Sequence, residues 1–211
     1  MRCAGIAAAG AFTLLLLAGC SGGLKSNLPI AQVYVLRPNW SAPAASLPAA
    51  AAPGAGSVQV TLPLAAAGLS NDSIVVLRPG ERLDYYGAAR WAAAAPAMLQ
   101  TLAIDALRAS KRFSMVESDA GPFASDYVLS LELRHFEAEY TGAGPPTVHV
   151  ALMCTLGRRT DRGVMVSFDA DSRVTADADR MQSVVAAFER ATGDALSQLA
   201  ANVALPGPVP P

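Results

Sequence analysis

The chain has 211 residues, 52% of them hydrophobic, with 16 Lys and Arg against 17 Asp and Glu and a formal net charge of −1. That suits one domain with a sizeable core. Lys25 and Lys111 are the only lysines, so the chain lacks both the basic stripe of a nucleic-acid binder and the polybasic patch of an anionic-lipid binder.

Residues 1–19 read as a secretory signal: Arg2 supplies the positive charge, a short Ala/Leu run follows, and small residues close it. The apolar run is shorter than the roughly 20 residues a membrane span needs. Its end, Leu17-Ala18-Gly19-Cys20, matches the bacterial lipobox, in which a small pair precedes a cysteine whose thiol takes the diacylglyceryl group. The alternative, an ordinary signal that happens to contain a cysteine, has position, flanks and all four residues against it. Two or three acyl chains (palmitate among the usual ones) on Cys20 exceed the two-signal threshold for stable anchoring, at about 0.8 kcal/mol per buried methylene. Ser21 follows the cysteine instead of the Asp that resembles an inner-membrane retention signal, which favours the periplasmic face of the outer membrane over the inner membrane. Cys3 leaves with the signal and Cys20 is acylated, so Cys154 is a single thiol and no intramolecular disulfide is expected.

A polar tether at residues 20–28 leads to a domain at 29–205. Ala31 to Leu36 alternates as a first strand, and Pro38 to Gly56, rich in Ala, Pro and Ser, reads as a flexible loop. Ser57 to Pro63 is a second strand; Ser73–Leu77 and Arg82–Tyr86 form two more, joined at Arg78-Pro79-Gly80-Glu81. A helix is expected from about Ala92 to Ala109, with Leu99, Leu102, Ala106 and Ala109 on one face and Pro96 in its first turn. Phe113–Glu117 is a short strand. Asp126–Tyr140 places Tyr127, Leu129, Leu131 and Leu133 on one face, then slips phase to Phe136, Ala138 and Tyr140, which a bulge near His135 would reconcile. Thr147–Leu156 and the strand beginning at Val164 complete an antiparallel meander. A long helix from about Asp179 to Ala204 carries the stripe Met181, Val184, Val185, Phe188, Leu196, Leu199 and Val203. Asp179 with Gln182 resembles a capping box. Gly193 weakens the middle of this helix, and residues 206–211 form a Pro-rich tail. Strands and helices are partly segregated, giving an α+β fold: a mostly antiparallel, mixed sheet with two main helices on one face.

Chemistry is sparse. There is no P-loop, Rossmann glycine pattern, Gly-x-Ser-x-Gly, His-Glu-x-x-His or Cys-x-x-Cys. His135 and His149 lie on neighbouring strands, and spacing suggests no further metal ligands, so they read as sheet histidines with ordinary hydrogen bonds. Glu137 with Glu139, and Asp169 with Asp171, share strand faces; they read as the wet side of amphipathic strands and not as acid–base pairs. Cys154 falls in the apolar parity and reads as a core thiol. Arg158, Arg159 and Arg162 form a small basic loop, read as a solvated turn ahead of an anion site. Tyr85-Tyr86 and Trp91 are the candidate partner or ligand contacts, although Trp91 also suits a position between sheet and helix. No catalytic residue, metal or cofactor is expected beyond the lipid on Cys20.

From Val58 onwards the residues carry a resemblance. Leu62-Pro63, Ile74-Val75-Val76, Leu83-Asp84-Tyr85-Tyr86 and Arg90-Trp91-Ala92 opening a helix resemble the ABC-type transport auxiliary lipoprotein family, PqiC-like in character. Tyr34-Val35-Leu36, Asp126-Tyr127-Val128-Leu129, Phe136-Glu137 and Val184 to Phe188 extend the similarity over nearly the whole mature chain. Two departures stand out: Ala93-Ala94 replaces the family's frequent Glu-Pro, and the Pro38–Gly56 loop is unusually long. The resemblance implies a non-enzymatic component of lipid or hydrophobic-compound transport between membranes, partnered by an ABC permease, its ATPase and an MCE-domain protein. Ring-shaped partners leave room for a homo-oligomer, with no seam readable in the sequence. The alternative role is an outer-membrane assembly lipoprotein partnering a β-barrel.

Overall fold

A computed structural model describes residues 30–40 and 56–203. The expected signal peptide, Cys20 with its expected tether, residues 41–55 of the Ala/Pro loop, and the Pro-rich tail lie outside the described residues. In chain order the elements are β1 (Gln32–Tyr34), β2 (Ser57–Val60), β3 (Leu64–Ala65), β4 (Ser73–Arg78), β5 (Arg82–Trp91), α1 (Ala95–Ser110), β6 (Met115–Ser118), β7 (Tyr127–Glu139), β8 (Thr147–Arg158), β9 (Val164–Thr175) and α2 (Met181–Asn202).

β7 organises the sheet. Along one edge it pairs in succession, always in parallel, with β2 at Tyr127–Leu129, β3 at Glu132–Leu133 and β4 at Glu137–Glu139. Its other edge takes the whole of β8 in antiparallel register, and β8 takes β9 likewise. β4 and β5 form an antiparallel hairpin, β1 adds to β5 in parallel, and β6 adds to β2 in parallel. The long ladders are thus antiparallel, as expected, and the short ones parallel, in an open mixed sheet of nine strands. The hairpin turn is made by Gly80 at φ 82° and Glu81 at φ 57°, a left-handed backbone that glycine enters without steric cost.

Both helices pack on the same side. α2 lies against β8 and β9, while α1 lies against β2, β6 and α2. Leu129, Leu131 and Leu133 point into this layer before the bulge in β7, and Phe136 and Ala138 after it. The core centres on three rings from three elements: Trp91 meets Phe188 edge-on at 5.1 Å and Phe136 at 5.7 Å, and Phe136 meets Phe188 at 5.0 Å. Such pairs add about 0.5–1.5 kcal/mol each beyond their buried area.

Several expectations change in detail. β3 follows Pro63 where the sequence reading stopped a strand. β9 runs on to Thr175; Ala170 and Ser172 are its buried positions there, too small or polar to signal a strand. The buried stripe of α1 runs through Leu99, Ala103, Ile104, Ala106 and Leu107, leaving Ala109 exposed, because an alanine-rich helix gives little phase information. Pro96 does sit in the first turn. The capping box at α2 is not formed: Arg180 is the N-cap with no side-chain cap bond, and the Asp179 carboxylate instead accepts the Tyr140 hydroxyl at 2.6 Å.

Candidate functional site

The candidate contacts separate sharply. Tyr85 is 43% exposed on β5 beside Leu83, whereas Trp91 is 1% exposed. Trp91 therefore presents no surface to a partner: its ring is the centre of the core, between sheet and helix. Tyr86 is intermediate, and its hydroxyl is committed. Tyr140 donates to Asp179, so its oxygen is free to accept from Tyr86 at 2.9 Å. That chain ties β5, the end of β7 and the approach to α2 together. The Arg78 guanidinium caps it, 5.0 Å above the Tyr140 ring, within cation–π range. Burial pushes both phenols above their ordinary range.

The basic loop is partly tied down. Arg158 pairs with Asp161 at 3.0 Å, and Arg159 donates to the Ser125 carbonyl and the Gln59 side chain. With Arg162 they border an open groove of about 390 Å³ that also includes Val128, Ser130, Thr155 and Gly157. Cys154 is fully buried, and desolvation pushes its thiol up to about 12, the behaviour of an inert core group.

The charged residues of β7, β8 and β9 depart most from the sequence reading. Glu137 is 6% exposed and His149 2%, although they lie on the face away from the helices. The two histidine rings stack at 4.0 Å with 20° between planes. His135 Nδ1 lies 2.6 Å from Glu137 Oε1, His149 Nδ1 lies 3.1 Å from Glu139 Oε1, and His149 Nε2 lies 2.7 Å from Asp171 Oδ2. Arg173 pairs with the other oxygen of Glu139. Glu137 and Glu139 are thus not a wet strand face; only Asp169 and Asp171, with side chains 59% and 51% exposed, fit that description. The bulge expected near His135 is present; what the sequence reading lacks is its consequence for the outer face. The register shift between Leu133 and His135 moves odd-numbered residues from the core face to the outer face. It thereby brings His135, Glu137 and Glu139 alongside His149.

Comparison with known proteins now decides the family. Residues 34–204 match the family described as the ABC-type transport auxiliary lipoprotein component. The chain belongs to this family. It is therefore an auxiliary lipoprotein of ABC-type transport, a class held at a membrane in the periplasm. The auxiliary lipoprotein is similar in structure to a Xanthomonas campestris protein of the DUF330 family, with a TM-score of 0.71, 26% identity, and coverage of 81% of this chain and 93% of that one. A second solved structure, of an uncharacterized protein, gives a TM-score of 0.61 at 14% identity over 83% and 97% of the two chains. A PelC dodecamer from Paraburkholderia phytofirmans gives 0.43 at 18% identity over 72% and 92%. Comparison with curated proteins returns no match. Among the described residues, no helix of the auxiliary lipoprotein is long and apolar enough to cross a membrane.

Proposed function

We propose that the protein is a non-enzymatic docking component of an MCE-type transport system that moves lipids or other hydrophobic compounds between membranes. The observation that carries this reading is the family match across residues 34–204, nearly the whole folded domain. Cys20 bears the diacylglyceryl and N-acyl lipids, and Ser21 directs the anchored protein to the periplasmic face of the outer membrane. The folded domain then faces the periplasm and meets the MCE-domain protein, whose ABC permease and ATPase sit in the inner membrane. Tyr85, exposed on β5 beside Leu83, is the aromatic contact on this surface; amphipathic tyrosines are favoured at such interfaces.

The test uses the full chain in its host, with a photocrosslinking residue at position 85. An MCE-domain protein is the expected product, and the protein should fractionate with outer membranes unless Cys20→Ala removes the anchor. Capture of a β-barrel instead, or no capture alongside a working positive control, overturns the reading.

A further inference from the structure

We propose that the outer face of β7–β9 holds one divalent transition-metal ion of the zinc class, bound by His135, Glu137, Glu139 and His149. One ligand atom from each of these residues lies within 4.8 Å of the others. The chain has only two histidines in 211 residues, and the fold stacks them at this place. Imidazole and carboxylate are zinc ligands.

The contacts of His149 leave a place for a metal. Both nitrogens of His149 face carboxylate oxygens, at 3.1 Å and 2.7 Å. A neutral imidazole has one N–H. If Nε2 donates it to Asp171, the Nδ1 lone pair is aimed at Glu139 Oε1, with Glu137 Oε1 only 3.8 Å away. Lone pairs then converge from three residues, and a cation among them turns repulsion into coordination.

Charge bookkeeping agrees. Glu137, Glu139 and Asp171 bring three negative charges, and Arg173 returns one positive charge. The side chains of Glu137 and Glu139 are only 8% and 14% exposed. Such desolvated carboxylates are costly unless compensated. One divalent ion cancels the remaining two charges.

The surroundings fit as well. A ligating histidine usually donates its other N–H to a carboxylate, which fixes its orientation; Asp171 does this for His149 Nε2. The Phe136 N–H donates to Glu137 Oε2, leaving Oε1 for the metal. His135, with a side chain 45% exposed, provides both the entry path and the freedom to close the last gap. Four protein ligands make a closed site, the structural kind, which would pin the bulged segment of β7 to β8.

Untagged full-length protein is stripped with a chelator and titrated with zinc chloride against a chromophoric competitor. One equivalent per chain should bind, and the melting temperature should rise with free zinc. His135→Gln and Glu139→Gln should weaken binding by more than about tenfold, since each removes a ligand, with the circular dichroism of the metal-free protein unchanged. Asp171→Asn, a positioning change, should weaken it by about 10–100-fold. Absence of saturable uptake at one equivalent overturns the proposal. Undiminished binding in both ligand variants, or tighter binding of calcium than zinc, overturns it equally.

Discussion

Gly193 of α2 lies directly under the backbone of Asn39: a Cβ placed on it would come within 2.6 Å of the Asn39 carbonyl oxygen. In an open helix Gly→Ala stabilises by about 1 kcal/mol. Here the neighbour is backbone, and overpacking of this kind costs about 1–3 kcal/mol. Gly193→Ala should therefore lower stability despite improved helix propensity, measured by denaturant unfolding. A variant as stable as the parent would mean that the segment through Asn39 gives way freely. The glycine that weakens the helix in the sequence is the one that lets the strap from β1 cross it.

Trp91 and Tyr85 look equivalent as letters and should behave oppositely as variants. Trp91 is 1% exposed between Phe136 and Phe188, so Trp91→Ala should cost about 3–5 kcal/mol. Trp91→Phe should cost much less, because the buried indole N–H has no acceptor to lose. Tyr85→Ala, on the surface, should stay within about 0.5 kcal/mol of the parent. Urea unfolding of the three variants checks the ordering; a Tyr85→Ala penalty matching that of Trp91→Ala would refute the division between core and surface.

How much of this was legible in the sequence depends on the signal each element leaves. β7 and β8 alternate over long runs of Leu and Val, so their pairing and even the bulge near His135 could be read directly. α2 carries large apolar residues at helical spacing, and its stripe was placed correctly. β3 has two residues and no periodicity, while the second half of β9 buries Ala170 and Ser172, which carry no apolar pattern. The histidine–glutamate cluster was hidden for a different reason. The bulge is legible in β7, but which residues of β8 and β9 it sets beside His135, Glu137 and Glu139 depends on the exact cross-strand register, which periodicity within one strand does not encode. The parallel pairings of β2, β3 and β4 along one edge of β7 are equally non-local.

The Tyr86–Tyr140–Asp179 chain should make stability fall in strong alkali. Burial, and then the hydrogen bond to Asp179, raise the Tyr140 phenol above the ordinary value of 10.0. A raised phenol keeps its proton in the folded state after the unfolded chain has lost it. Its contribution is therefore full below about pH 10 and is lost progressively as pH climbs above that value. Tyr140→Phe should flatten the alkaline slope of stability against pH and lower stability at neutral pH, by removing the bond to Asp179 and the acceptor for Tyr86. Unfolding curves collected at several pH values on either side of 10 test both parts. An unchanged alkaline slope would show that the phenol does not couple to folding.

The thiols offer a separate reading of both the core and the anchor. Cys154 is 0% exposed and its thiol is pushed up to about 12 by desolvation, so its thiolate is scarce at neutral pH and out of reach of reagents. Under the proposed processing, Cys3 leaves with the signal and Cys20 is blocked by a thioether-linked lipid. Native protein purified in detergent should therefore take no maleimide at pH 7, and denatured protein should take one equivalent, located by mass spectrometry at Cys154. Fast labelling of native protein at Cys154 would mean that β8 opens readily between β7 and β9. A second equivalent at Cys20 would mean that the thiol was never acylated, and the anchoring proposal would fail while the fold stood unchanged.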